Sequence, residues 1–267
     1  MDGIYTTIEV EATRAGVAVI TLNRSNKHNA FNADVISELS DVFDALKGQD
    51  GVRLIILRGA GKSFSAGADL DWMKAAADYT REENEEDAIA LAAMLRKLYE
   101  LPQLTLALVQ GAAMGGGAGL VAACDVAIAM ASTKFRFSEV RLGLTPATIS
   151  PFVIEAIGPS WARALFATGE MFDAAYAEKI GLVHYTAANT EELLQLEEHI
   201  AGLVFTAAPG AIDDSKALVR DVTGKEINGH LGHETAKRIA ARRASDEGRE
   251  GLSAFLEKRK PSWAEDI

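Results

Sequence analysis

The 267-residue chain is poor in cysteine, in basic residues and in long apolar runs, and each shortage excludes a class of protein. Cys124 is its only cysteine, so one chain can build neither a disulfide framework nor a Cys-rich zinc site, which fits a reducing compartment. No stretch approaches ~18 uninterrupted apolar residues, so no membrane span is expected. The nearest, "LTLALVQGAAMGGGAGLVAA", is broken by Gln110 and its glycines into a buried strand, turn and helix. The opening "MDGIYTTIEVEATRAG" has no positively charged region ahead of an apolar one, so no signal peptide is read and a cytoplasmic location is expected. Lys and Arg number 27 against 38 Asp and Glu, a net charge of −11 that repels nucleic-acid phosphates. The basic exception is "FLEKRKPSW" near the C-terminus, a local patch that could hold a polyphosphate. Missing too are the G-x-x-x-x-G-K-[ST] loop, the G-x-G-x-x-G fingerprint and the G-x-S-x-G elbow. His28, His184, His199, His230 and His233 show no ligand pattern, and no metal site is expected.

What is present is an ordinary globular composition, 48% hydrophobic and 24% charged. "YTTIEVEA" and "GVAVITLNR" read as a strand pair joined by polar residues. Asn32 is placed to cap "ADVISELSDVFDALK", where Val35, Ile36, Leu39, Val42, Phe43 and Leu46 recur at helical spacing. "VRLIILRG", "LTLALVQG" and "DVAIAMA" read as buried strands. Between the first two, residues 81–101 start acidic and end with Arg96 and Lys97, the order a helix dipole favours, and Pro102 stops them. Buried strands alternating with helices imply an α/β fold with parallel pairing. From about residue 159 the pattern is helical, with no convincing strand beyond "GLVHYT". No fixed-period repeat is found.

Two glycine-containing turns could carry chemistry: "KSFSAGADLDWM" (62–73) and "AAMGGGAGLVAACD" (112–125). Small residues leave backbone N–H groups uncovered, and a helix start leaves its first amides without internal partners. Two such amides converging on one point form an oxyanion hole; the competing reading is that small residues only permit close packing. Glu139 in "FRFSEVRLGL" has apolar neighbours, which favours a raised pKa and general acid–base work, although pairing with Arg141 would read equally well.

In order, "NRSNKHNAFN", "FSAGADL", "GAAMGGGAGLVAACD" and "FSEVRLGLTP" resemble the enoyl-CoA hydratase/isomerase (crotonase) superfamily over essentially the whole chain. The resemblance implies a ββα spiral core over residues 1–200. A helical region over 201–267 would serve oligomerisation and completion of the CoA site, as a homotrimer or a dimer of trimers. It implies an acyl-CoA thioester substrate and no separate cofactor. The oxyanion amides would fall on Ala68 and Gly116, with Glu139 as the acid–base residue. Lys27 would lie near the CoA phosphates, and Ala66, Asp69 and Leu70 along the CoA path. Gly115, with no side chain, would leave the thioester's way clear, while Phe255 and Lys258 would reach CoA in the same or a neighbouring subunit.

The sequence departs from the common hydratase pattern at Gly119, where the family's first glutamate would stand, and at "TPATISPFV" (145–153). In these it looks most like bacterial methylglutaconyl-CoA and isohexenylglutaconyl-CoA hydratases. Lys74 and Arg141 are then candidate partners for a second substrate carboxylate. The expected reaction is reversible hydration of an α,β-enoyl-CoA. A one-glutamate Δ3,Δ2-enoyl-CoA isomerase and a catalytically weak acyl-CoA-binding homologue are the alternatives.

Overall fold

The computed structural model describes residues 5–14, 16–49 and 51–264. The outermost residues of both expected regions, and the first four of the acidic N-terminal stretch, lie outside the described residues.

Six strands form the main sheet, in the order β1 (Ile8–Arg14), β2 (Val17–Leu22), β3 (Leu54–Gly59), β4 (Leu104–Val109), β6 (Val126–Met130) and β9 (Tyr185–Ala187). Only the β1–β2 hairpin is antiparallel; the other pairs are parallel. Parallel strands need crossovers, and here each crossover first adds a short extended piece to a second sheet. That sheet contains β5 (Ala112–Met114), β7 (Lys134–Arg136) and β8 (Met171–Asp173). Single bridges Phe31↔Ala68 and Ser65↔Ala113 extend it to the turn after β3. Strand, short strand, helix is thus repeated around a spiral, as the family resemblance implied. β8 is the strand that helical patterning in this region hid; it pairs antiparallel with β7 through Phe135 and Phe172.

Helix α1 (Ala33–Lys47) begins where Asn32 Oδ1 accepts the Val35 N–H at 3.1 Å, and all six apolar stripe residues are buried. Helix α2 (Leu70–Ala76) is short, and α3 (Arg81–Tyr99) opens with a reciprocal Thr80–Glu83 capping box. Helix α4 (Gly116–Ala123) follows the glycine turn, and α5 (Ser150–Thr168) is broken at Gly158. Then come α6 (Ala174–Ile180), α7 (Thr190–Thr206), α8 (Pro209–Val222), α9 (Gly229–Ala244) and α10 (Asp246–Glu257).

The central strands are covered on both faces, which is why they read as continuous apolar runs. Ala18, Ile20, Ile55 and Leu57 join a core with α1, α3, α4 and α5, while Val17, Val19, Leu54 and Ile56 face Ile200, Ala201, Val204 and Phe205 of α7. The expected division at 200/201 therefore falls inside a helix that belongs to the sheet's second layer. None of the described residues of α8 and α9 is buried. A polar tie holds α8 to the body: Lys216 Nζ donates to Asp125 Oδ2 (2.6 Å), Leu101 O (2.6 Å) and Gln103 O (2.7 Å).

Candidate active site

The two glycine-containing turns meet at the edge of the second sheet. Phe31 N–H donates to Gly67 O (2.6 Å) and Asp69 N–H donates to Phe31 O (2.8 Å), so Phe31 brackets Ala68. In parallel pairing the bracketed residue turns its own N–H away from that partner. Gly115 N–H donates to Arg136 O (2.9 Å), which fixes the turn. Gly116 is then the first residue of α4, and its amide has no intrahelical acceptor. Glycine is required at 115 because its φ is +48° with ψ −118°. At 117 it is required by proximity, since a Cβ there would meet Ser65 O at 2.8 Å.

Ala68 and Gly116 both line one cavity of about 730 Å³, together with Phe31, Ala66, Gly67, Gly115 and Glu139. Its remaining walls are largely apolar, from α2, α3 and the segment 142–149. The volume suits a medium-sized organic group. Leu70, Leu142 and Leu144 line it while more than half exposed, an apolar rim.

Glu139 starts a 3-10 turn (Glu139–Leu142) directly after β7. Its Oε2 is buried and hydrogen-bonded to nothing among the described residues, and burial pushes the carboxyl above its ordinary range. Oε1 lies 3.1 Å from where a Cβ on Gly115 would be, so the same glycine that shapes the turn also makes room for the acid. Arg141 does not neutralise it; the guanidinium Nε donates instead to Gly169 O (3.2 Å). An unpartnered carboxylate beside two free amides can take a proton from a molecule whose carbonyl oxygen those amides polarise.

The other expected site residues divide. Ala66, Leu70 and Gly115 are on the cavity wall. Asp69 is not: its carboxylate accepts from Asp71 N–H (2.8 Å) as the α2 cap and from Arg24 (2.7 Å). Those contacts, the Asp71 amide first, hold it below its usual range, and with 4% exposure it shapes the site without touching its contents. Lys27 sits at the surface, paired with Asp71 at 2.9 Å. Phe255 and Lys258 are at the end of α10, away from the walls of this chain's cavity, with Phe255 80% exposed. Neither candidate for a second substrate carboxylate is a cavity wall: Lys74 pairs with Asp71 at 3.7 Å, and Arg141 is turned to Gly169.

Sequence reading missed the polar wall residues Trp72, Asn84 and Asp87 of α2 and α3, and the hydroxyls of Ser138, Thr145 and Thr148. For α3 the signal was the i, i+3, i+7 recurrence of Asn84, Asp87 and Leu91 on one face.

Gly119 has a structural explanation. A Cβ there would lie 2.3 Å from Ile149 Cγ2, so the place of a side chain is filled by Ile149 from the start of α5.

Residues 12–266 match the model of the enoyl-CoA hydratase/isomerase family. The chain belongs to that family. This enoyl-CoA hydratase-family enzyme is 45% identical to a Legionella pneumophila chain described as an enoyl-CoA hydratase/isomerase (crotonase), with TM-score 0.89 over 96% of this chain and 98% of that one. It is 38% identical to an enoyl-CoA hydratase from Shewanella pealeana, with TM-score 0.93 and 97% of each chain covered. Among curated proteins it is 33% identical to the crotonyl-CoA hydratase of Syntrophomonas wolfei over 92% of this chain and 94% of that protein. Among its described residues no helix is long and apolar enough to cross a membrane.

Proposed function

We propose that this enzyme adds water reversibly across the α,β double bond of an acyl-CoA thioester. The observation that carries the reading is the buried, unpartnered Glu139 Oε2 in the cavity lined by Ala68 and Gly116. The thioester oxygen accepts hydrogen bonds from the Ala68 and Gly116 amides. Glu139 takes a proton from water as the water oxygen bonds to Cβ, and the electron pair of the double bond moves to an enolate held by those amides. Glu139 then returns the proton to Cα. One group thus handles both transfers, and the product gains OH at Cβ and H at Cα. No metal or redox cofactor enters this balance.

For the acyl group we propose a branched glutaconyl type such as 3-methylglutaconyl-CoA. The 145–153 segment supports this; part of it lines the cavity and brings the Thr145 and Thr148 hydroxyls to it. Assembly as a trimer or dimer of trimers is proposed from the apolar residues left exposed on the last helices, among them Val219, Ile239, Leu252, Phe255 and Leu256. In that assembly Phe255 and Lys258 would complete a CoA site. The test is a panel of crotonyl-CoA, 3-methylglutaconyl-CoA and a 3-enoyl-CoA with products identified by mass. A gain of one water by the 2-enoyl thioesters, greatest with 3-methylglutaconyl-CoA, is expected. A double-bond shift without mass change would refute hydration in favour of isomerisation. Acyl-CoA binding with no turnover would refute an enzymatic role.

A further inference from the structure

The cavity holds a second carboxyl group, which the hydration chemistry does not use. Asp87 of α3 lines the cavity with Asn84 and Leu91 of the same helix and with Trp72, Met73 and Ala76 of α2. Its Oδ1 accepts the Trp72 indole N–H at 3.2 Å. Among the described residues no lysine, arginine or histidine lines the cavity to neutralise it. Asn84 spends its amide N–H groups on Tyr79 O (3.3 Å) and Thr80 O (3.1 Å). This part of the wall, half-buried at Asp87 and exposed at Asn84, thus presents an acidic acceptor with no cation beside it among the described residues.

We propose that Asp87 is the acyl-specificity residue of this enzyme, sharing one proton with a second carboxyl group carried by the acyl chain. The inference rests on the dicarboxylic substrate proposed above. Two carboxyl groups in direct hydrogen-bond contact do not both ionise readily, so one keeps a proton and donates it to the other. The Trp72 N–H occupies Oδ1, which leaves Oδ2 for the substrate. Burial pushes the Asp87 carboxyl upward, and the Trp72 hydrogen bond partly offsets this. The other titratable wall residue is Glu139. From α2, Asp71 and Lys74 are paired with one another, and Lys27 joins Asp71. On α3 itself Arg81, Glu82, Glu83, Glu85 and Glu86 are exposed to water, with Glu83 engaged by the Thr80 cap. The proton shared with substrate is therefore governed mainly by the two carboxyls that meet.

The experiment compares kcat/KM for 3-methylglutaconyl-CoA with that for 3-methylcrotonyl-CoA, which has the same branched skeleton without the second carboxyl. It is run across pH 6–9 in wild type, Asp87→Ala and Asp87→Asn. In Asp87→Ala the ratio of the two values should fall about 10- to 100-fold, the range of a hydrogen bond to a charged group, chiefly through KM for the dicarboxylic substrate. In wild type the ratio should decline as pH rises and the shared proton is lost. Asp87→Asn keeps an acceptor for Trp72 and presents a permanent donor, so its ratio should be retained and flat with pH. A ratio that stays within threefold or rises in Asp87→Ala, or a pH slope that persists in Asp87→Asn, overturns the proposal and leaves the substrate reading standing. A wild type that hydrates 3-methylcrotonyl-CoA or crotonyl-CoA but not 3-methylglutaconyl-CoA refutes the substrate reading and this inference with it.

Discussion

Replacing Gly119 by alanine places a methyl carbon 2.3 Å from Ile149 Cγ2 and 2.9 Å from Ile149 Cβ, where ordinary contacts begin near 3.4 Å. Ile149 is 1% exposed and Ala118 and Leu120 beside the glycine are fully buried, so the clash cannot be relieved by swinging a side chain into water. Overpacking a close-packed core costs roughly 1–3 kcal/mol, and a gap short by about 1 Å belongs at the upper end. Alanine in a helix interior returns about 1 kcal/mol over glycine. The net expectation for Gly119→Ala is a loss of about 2 kcal/mol. Ile149→Ala alone should cost about 2–4 kcal/mol as a truncation that leaves a cavity. In the double variant the Cγ2 clash is gone and the new methyl partly fills the hole, leaving only the 2.9 Å approach to Cβ. The two effects should then couple, with the double variant about 1–2 kcal/mol more stable than their sum. Urea denaturation of the four proteins at one fixed protein concentration measures this, since any association would otherwise contribute. Strict additivity would refute the idea that Ile149 occupies the missing side chain's place. By the same reasoning Gly119→Glu should not add a working second acid while Ile149 remains.

Glu139→Gln should lower turnover at least ~10²-fold, as expected for loss of a general base, and near-normal activity would sink the assignment. Because burial raises the Glu139 carboxyl, wild-type kcat/KM should fall on the acid side with an apparent pKa above the ordinary 4.5. The same shift gives a stability prediction of definite sign. The protonated form's advantage is complete below the unfolded value and is lost as pH rises through the raised folded value. Glu139→Gln, which cannot ionise, should therefore show a higher denaturation midpoint than wild type at pH 8, with the difference shrinking towards pH 4. Lys216→Met should destabilise by about 2 kcal/mol in urea, since it strips the partly buried Asp125 carboxylate of its cation and two carbonyls of their donor. An unchanged midpoint would show that the α8 tie contributes nothing.

Much of the fold was legible because its signals are local. The α1 stripe is buried residue for residue, and the buried strands stand where β-branched runs placed them. The spiral's periodicity was not legible. Successive parallel-sheet strands start at residues 17, 54, 104, 126 and 185, so repeated units of unequal length leave no period in the sequence. β8 was hidden for a related reason: three residues are too few for alternation to register, and Phe172 is held there by stacking on Phe135. At the site, the glycine turns and Glu139 carried their own signals. Asp87 looked like one more acid in the acidic first half of α3, and only the approach of α2 made it part of a wall.

The sequence by itself determined the element types, the burial of the central strands, the two turns with uncovered amides and a glutamate among apolar neighbours. Each follows from side-chain pattern and backbone freedom within a dozen or so residues. The tertiary structure alone decided that both turns open on one cavity and that Glu139 has no cation beside it among the described residues. It alone decided that Asp69 is a cap held by Arg24 and that Gly119 yields its space to Ile149. These depend on which distant segments come within a few ångströms of each other, and steric exclusion and charge pairing act at that range whatever the separation along the chain.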